Sequence, residues 1–200
     1  MHHLLYDLPL AVLWLAWLAY WVFAARDVKP VRRREPWASR LLTVALTIPV
    51  ALLTAAPGQW LPWLSARFLP DTMIVDWAGL LMVTAGLALA VWARTHLGRN
   101  WSGTVTVKED HELVRSGPYA IVRHPIYTGL LLAMLGTAII LGEWRGLSAL
   151  CFLSAAFLLK LRREERFMAE SFPDTYPGYR AQVPALVPLL RANHPGGGSR

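Results

Sequence analysis

The 200-residue sequence has one cysteine, few charges and fewer acids than bases, and each shortage excludes something. Cys151 is the lone thiol and lies inside an apolar run, so no disulfide forms within the chain and no cysteine-rich metal site is available. Charged residues make up 16% of the chain, against roughly a quarter in soluble globular domains. Too little polar surface is left to coat a water-soluble body. Asp and Glu number 13 against 20 Lys and Arg, a net charge of +7. The bases fall between apolar runs and do not form one patch, which marks the flanks of membrane spans and argues against nucleic acid as a partner. No glycine-rich phosphate loop follows a strand, and no Gly-x-Ser-x-Gly turn is present. His111 and His124 have no carboxylate at metal-ligand spacing, so no metal is expected, and His2 and His3 read as terminal residues.

What the chain has is apolar length: 55% of its residues are hydrophobic and its mean hydropathy is +0.36. Five runs over residues 8–25, 41–56, 77–93, 126–141 and 146–159 predict transmembrane helices of an all-α integral membrane protein, one domain over residues 1–192. Pro49 predicts a kink in the second helix. Residues 193–200 are Gly-rich and expected to be a disordered tail. Residues 26–40, 94–123 and 160–166 are basic and fall on one side, while the loops around Trp60 and Glu143 are poor in Lys and Arg. The positive-inside tendency then puts the N-terminus outside and the C-terminus in the cytoplasm, as expected of a multi-pass protein of a prokaryotic cell membrane. Arg32, Arg33 and Arg34 serve as a topology anchor in this reading. Thr104 to Val107 alternates and is β-branched, a short extended segment. Gly79, Gly86 and Ala90 recur on one face of the third span, and Gly129, Ala133 and Gly136 on one face of the fourth, which allows close helix packing within or between chains.

Polar residues concentrate in residues 117–129, between apolar runs: Tyr119, Arg123, His124 and Tyr127 with prolines and glycines around them. Pro125 fits the first position of the fourth helix. The tight turn at residues 142–145 makes the fourth and fifth helices antiparallel neighbours, so Arg123, His124 and Tyr127 should meet Lys160 and Glu164, which lie four apart on one helical face. Residues 183–190 are too short and too broken by proline to span, and are expected to pack over the polar region. The residues themselves point to a membrane protein with a polar pocket at one membrane face.

His111-Glu112-Leu113-Val114, Gly117-Pro118-Tyr119 and Arg123-His124-Pro125-Ile126-Tyr127-Thr128-Gly129, followed after a helical hairpin by Glu164-Glu165, Phe172, Tyr176, Tyr179 and Val183-Pro184, resemble the isoprenylcysteine carboxyl methyltransferase family, itself related to membrane phospholipid methyltransferases. The resemblance covers roughly residues 75 to 190. It implies an integral membrane enzyme that takes S-adenosylmethionine at the cytosolic face and methylates a lipophilic or lipidated acceptor from the bilayer. It places cofactor contacts on His111, Glu112, Leu113, Val114, Tyr119, Arg123, His124, Pro125, Ile126, Tyr127 and Glu164. Lys160 stands where the family carries an arginine toward the substrate carboxylate; it keeps the charge without the bidentate fork. No catalytic residue is assigned, although His124 is the nearest base if the acceptor is an amine or thiol. Glu165 has no assigned role. A phospholipid N-methyltransferase, an NADPH-dependent membrane reductase of the sterol type and a non-catalytic membrane scaffold stay open as alternatives.

Overall fold

A computed structural model describes residues 4–26, 37–55, 57–98 and 113–188. Among the described residues there is no strand, only an isolated antiparallel bridge between Arg67 and Glu143. The helices are α1 (Leu4–Ala24), α2 (Trp37–Ala55), α3 (Met73–Leu97), α4 (Pro125–Leu141), α5 (Trp144–Ser171) and the short α6 (Tyr176–Gln182), with single 3₁₀ turns at Gly58–Trp60 and Gly117–Ala120. Each of the five predicted apolar runs falls on a helix. Three helices, α1, α3 and α5, are long and apolar enough to cross a membrane; the apolar parts of α2 (Leu41–Ala55) and α4 (Pro125–Leu141) are shorter.

The long helices pack as a row, α1 on α3, α3 on α4, α4 on α5 and α5 on α2. Glycine decides the central contact. A Cβ on Gly86 would lie 2.5 Å from the Ala133 nitrogen and closer still to the Gly129 carbonyl, and one on Gly136 would lie 2.5 Å from the Gly79 carbonyl. The backbones of α3 and α4 therefore touch at two levels, with Val83 fully buried between them, as small-residue faces permit in apolar surroundings. The small-residue faces read from the sequence are thus occupied within one chain.

Because α3 and α4 lie so close, α1 reaches past α3: the Trp14 indole N–H donates to Thr137 Oγ1 on α4 at 3.1 Å, and Thr137 donates to the Ala133 carbonyl at 2.9 Å. Thr137→Val keeps the shape of the side chain and strands the indole N–H. It should cost about 1 kcal/mol, seen as a lower thermal midpoint in detergent; an unchanged midpoint would mean that the bond carries nothing.

The helix ends sort into two layers. At one end, the Arg145 guanidinium donates to the Leu53 carbonyl at the end of α2 (3.4 Å) and pairs with Glu143 at 2.5 Å. Arg67 donates to the Leu141 carbonyl at the end of α4 (3.1 Å). Gly142, left-handed at φ 61°, closes α4, and its carbonyl accepts from the Phe68 N–H. Cations thus meet the orphan carbonyls of two helix C-termini. Trp60 and Trp63 are exposed at this end, as interfacial anchors would be. At the other end, Arg94 donates to the carbonyls of Ala24, the last residue of α1, and Gly98, just past α3. The sequence predicts a span that stops at Arg94, yet α3 runs on to Leu97 with Arg94 buried, because its guanidinium is spent on two helix ends. Likewise α5 does not stop with its apolar part at residue 159 but continues to Ser171, carrying Lys160, Glu164 and Glu165 on the same helix. The basic residues 32–34, the segment at residues 104–107 and the tail at residues 193–200 lie outside the described residues.

Candidate functional site

The head of α4 meets the C-terminal half of α5 at the Arg94 end of the row. The approach to α4 begins with half-buried Leu113 and Val114 in irregular chain, then turns at Gly117, φ 58°. A Cβ there would strike the His96 ring at 2.7 Å, so glycine is required both for its left-handed backbone and for the ring beside it. His96 in turn bonds Ser116 Oγ at 2.9 Å and stacks on Tyr119 at 6.4 Å. Tyr119 is buried, its hydroxyl donating to the Ala93 carbonyl at 3.4 Å and its own carbonyl accepting from the Tyr179 hydroxyl at 2.6 Å. Burial pushes both phenols up, Tyr179 to about 12, so they act as neutral donors.

His124 is the N-cap of α4 and Pro125 its first residue. Proline leaves no N–H to satisfy there. The N–H groups just ahead of the helix are answered by the chain's far end: Arg123 donates to the Pro184 carbonyl at 2.9 Å and His124 to the Ala185 carbonyl at 3.0 Å. Thr128 Oγ1 adds a bond to the Leu186 carbonyl at 2.8 Å. Residues 183–186 thus form a strap over the head of α4, while Ala185 and Leu186 pack with Ile126 against the core around Tyr127, Phe157 and Leu161.

Inside the strap sits a polar cluster. The Tyr127 hydroxyl donates to Glu164 Oε1 at 2.5 Å, and the other Glu164 oxygen lies 3.5 Å from His124 Nδ1. His124 Nε2 lies 3.4 Å from Glu165 Oε1. Arg123 Nε donates to that same Glu165 oxygen at 2.8 Å, and a second guanidinium nitrogen also reaches it. Glu165 Oε2 is 3.6 Å from the Arg180 guanidinium on α6. The Tyr127 ring stacks on His124 at 5.6 Å and on Phe157 at 4.7 Å, with Lys160 Nζ 5.6 Å from its centroid. Burial alone would lower the His124 pKa, but hydrogen bonds and attraction from Glu164 and Glu165 outweigh it and hold the imidazole above its ordinary 6.5.

The residues singled out by the sequence therefore separate. Tyr127, His124, Glu164 and Lys160 come together as the antiparallel hairpin requires. Arg123 is close by but its fork is turned onto Glu165 and onto the Arg180 and Val183 carbonyls. Tyr119 stands one layer behind, Pro125 is buried and Ile126 belongs to the core. His111 and Glu112 lie outside the described residues. Glu165, Arg180 and the strap carbonyls are the parts that sequence reasoning missed. The adjacent pair Glu164-Glu165 was the available signal for the first of them.

Glu164 is the more accessible carboxylate, its side chain 23% exposed against 9% for Glu165. A carboxylate offers about four acceptor positions, and Tyr127 and His124 engage two of them. It is thus fixed in direction and still able to accept from a cationic or hydroxyl-bearing ligand. That acceptor fits S-adenosylmethionine, whose ammonium group and ribose hydroxyls donate. The same buried tyrosines offer little open aromatic face, so the fit rests on the carboxylate.

A family model described as phospholipid methyltransferase matches residues 74–175. The protein-S-isoprenylcysteine O-methyltransferase of Schizosaccharomyces pombe is 38% identical over 103 residues, 49% of this chain and 43% of that protein. A cobalt-zinc-cadmium resistance protein of Cupriavidus metallidurans is 34% identical over 57% of this chain and 52% of its own length. The human protein-S-isoprenylcysteine O-methyltransferase is 33% identical over 68% of this chain and 51% of its own. The chain thus spans about half the length of the curated relatives it matches. Among solved structures, the eukaryotic intramembrane Ras methyltransferase, an isoprenylcysteine carboxyl methyltransferase, superposes with a TM-score of 0.51 at 23% identity over 80% of this chain and 56% of that one. This is a likeness of fold.

Proposed function

The chain belongs to the phospholipid methyltransferase family, and from that premise we propose that it is a membrane methyltransferase that uses S-adenosylmethionine on a lipophilic acceptor drawn from the bilayer. The observation that carries this reading is Glu164: a carboxylate on the C-terminal half of α5 beside the head of α4, aimed by Tyr127 and His124 and still able to accept. The cofactor supplies a methyl group bound to a positively charged sulfur. Glu164 would take the ammonium or ribose hydroxyls, with Tyr127 and His124 holding the carboxylate in line. Leu113 and Val114 would lie along the cofactor. Tyr119 and Pro125 would support the wall behind it.

Lys160 presents its ammonium beside Tyr127, where it would hold an anionic group of the acceptor near the cofactor. The residues do not need to generate a strong nucleophile if that group is already ionised; their work is alignment and exclusion of water. In isoprenylcysteine O-methyltransferases, by name, the methyl goes to oxygen on a lipidated cysteine, and an acceptor of that kind suits the Lys160 charge. The basic residues 94–123 and 160–166 at the site end support a cytoplasmic site with the N-terminus outside, and we place the five helices as crossings of a prokaryotic cell membrane.

The test is calorimetry on the purified protein in detergent. Saturable binding of S-adenosylmethionine, with none of NADPH, is the expected result, and absence of binding would overturn the reading. Incubation with methyl-labelled cofactor and total membrane lipid extract should then yield one labelled lipophilic product, whose chemistry identifies the acceptor.

A further inference from the structure

We propose that Glu165 is a positioning residue for this site: it ties the C-terminal strap to α5 and holds the His124 ring, and through that ring sets the direction of Glu164. The inference rests on the methyltransferase reading. Consecutive residues on a helix point about 100° apart, so Glu164 and Glu165 can serve one group only if that group sits astride the helix. His124 does so, with Nδ1 3.5 Å from Glu164 and Nε2 3.4 Å from Glu165. Each ring nitrogen faces its own carboxylate, which leaves the imidazole one orientation.

Glu165 also gathers cations from other elements. Arg123, from the chain ahead of α4, donates to Oε1, and Arg180 of α6 lies 3.6 Å from Oε2. The same Arg123 guanidinium donates to the Arg180 carbonyl at 3.1 Å and to the Val183 carbonyl where the strap begins. One carboxylate therefore joins α5, the head of α4, α6 and the strap. A buried ion pair is weak support for stability once desolvation is counted, whereas Arg123 and His124 from the chain entering α4 and Arg180 from α6, converging on one carboxylate, fix geometry. Glu165 is the less exposed of the two glutamates and its oxygens are directed at the protein. It acts on a ligand only through its neighbours.

A double-mutant cycle on the full chain in detergent tests this. Glu165→Gln should weaken S-adenosylmethionine binding about tenfold, the scale of one hydrogen bond to a charged group. In a His124→Gln background the same change should cost less than about twofold, because the part it acts through is gone. Additive losses would overturn the proposal, since a general loss of structure does not depend on His124. If Glu165→Gln does not survive purification, Glu165→Asp, which keeps the charge and withdraws it by one methylene, takes its place in the cycle with the same two outcomes. NMR titration of His124 without cofactor reads the tether separately: its midpoint should fall in Glu165→Gln, while Glu164, Lys160, Arg123 and Tyr127 around the ring stay the same. A wild-type protein that binds no S-adenosylmethionine would sink the methyltransferase reading, and the unchanged His124 midpoint would sink the tether.

Discussion

Glu164→Gln should weaken S-adenosylmethionine binding about a hundredfold, the upper scale for losing a hydrogen bond to a charged group. The amide is the same size, but it turns an acceptor into a donor on one side. The Tyr127 hydroxyl, 2.5 Å from one oxygen, and His124 Nδ1, 3.5 Å from the other, both face acceptors in the native site. One of them must then face an NH₂ group, which the hydroxyl meets only by turning its proton away and a protonated imidazole N–H does not meet at all. The counter-charge for a cationic ligand is lost as well. Calorimetry gives the affinity directly, and wild-type affinity in the variant would remove Glu164 from the site.

The pH dependence of this arrangement has a definite sign. His124 has its pKa raised in the folded protein, so its ion pairing contributes fully below the ordinary 6.5 and is lost as pH rises through the raised value. Glu164→Gln removes one of the two carboxylates responsible. The alkaline limb of stability, followed by thermal midpoint against pH, should therefore begin at lower pH in the variant.

The second large effect lies in the packing. Gly86→Leu should yield no monodisperse protein, and Gly86→Ala should lose roughly 1–3 kcal/mol, the usual cost of forcing volume into a filled contact. Even a single Cβ there would meet the Ala133 nitrogen at 2.5 Å and the Gly129 carbonyl closer still. These are backbone atoms, so no side chain can swing aside; α4 itself would have to move. Movement of α4 carries His124 and Tyr127 with it, and cofactor affinity should fall in parallel with the thermal midpoint. Gly178→Ala on α6 is the control, since nothing lies within 4 Å of its added Cβ. Equal midpoints for Gly86→Ala and Gly178→Ala would contradict the close approach of α3 and α4.

Much of this was legible from residue patterns because it is local or follows from a short connection. Apolar length marked all five long helices, Pro125 marked the start of α4, and the turn at Gly142 forced Tyr127 toward Lys160 and Glu164. What stayed hidden depends on distant segments meeting. Nothing near Arg94 announces that its guanidinium will close the ends of two helices, so apolar length alone ends the span short of Leu97. The end of α5 was hidden for a different reason: Lys160 to Glu170 is polar but strongly helical, and hydropathy marks only where apolar length stops. Glu165 could be noticed beside Glu164 but not given a job, because its partners Arg123 and Arg180 come from segments 42 residues before it and on α6 after it. The strap carbonyls carry no side-chain signal at all, since backbone oxygens are the same in every sequence.

The order of packing along the row also bears on how the protein is made. Among the described helices, α1 packs on α3 and α2 packs on α5, so each meets a partner made after an intervening helix. Both must wait in the bilayer, each with an unmatched flank, until the central glycine-lined pair and then α5 have been inserted. The strap at residues 183–186, which closes over the head of α4, is synthesised last of all these parts. A nascent chain therefore holds α1 to α5 before it holds a finished site, and premature termination just short of Val183 would release a membrane-inserted protein with the head of α4 uncovered.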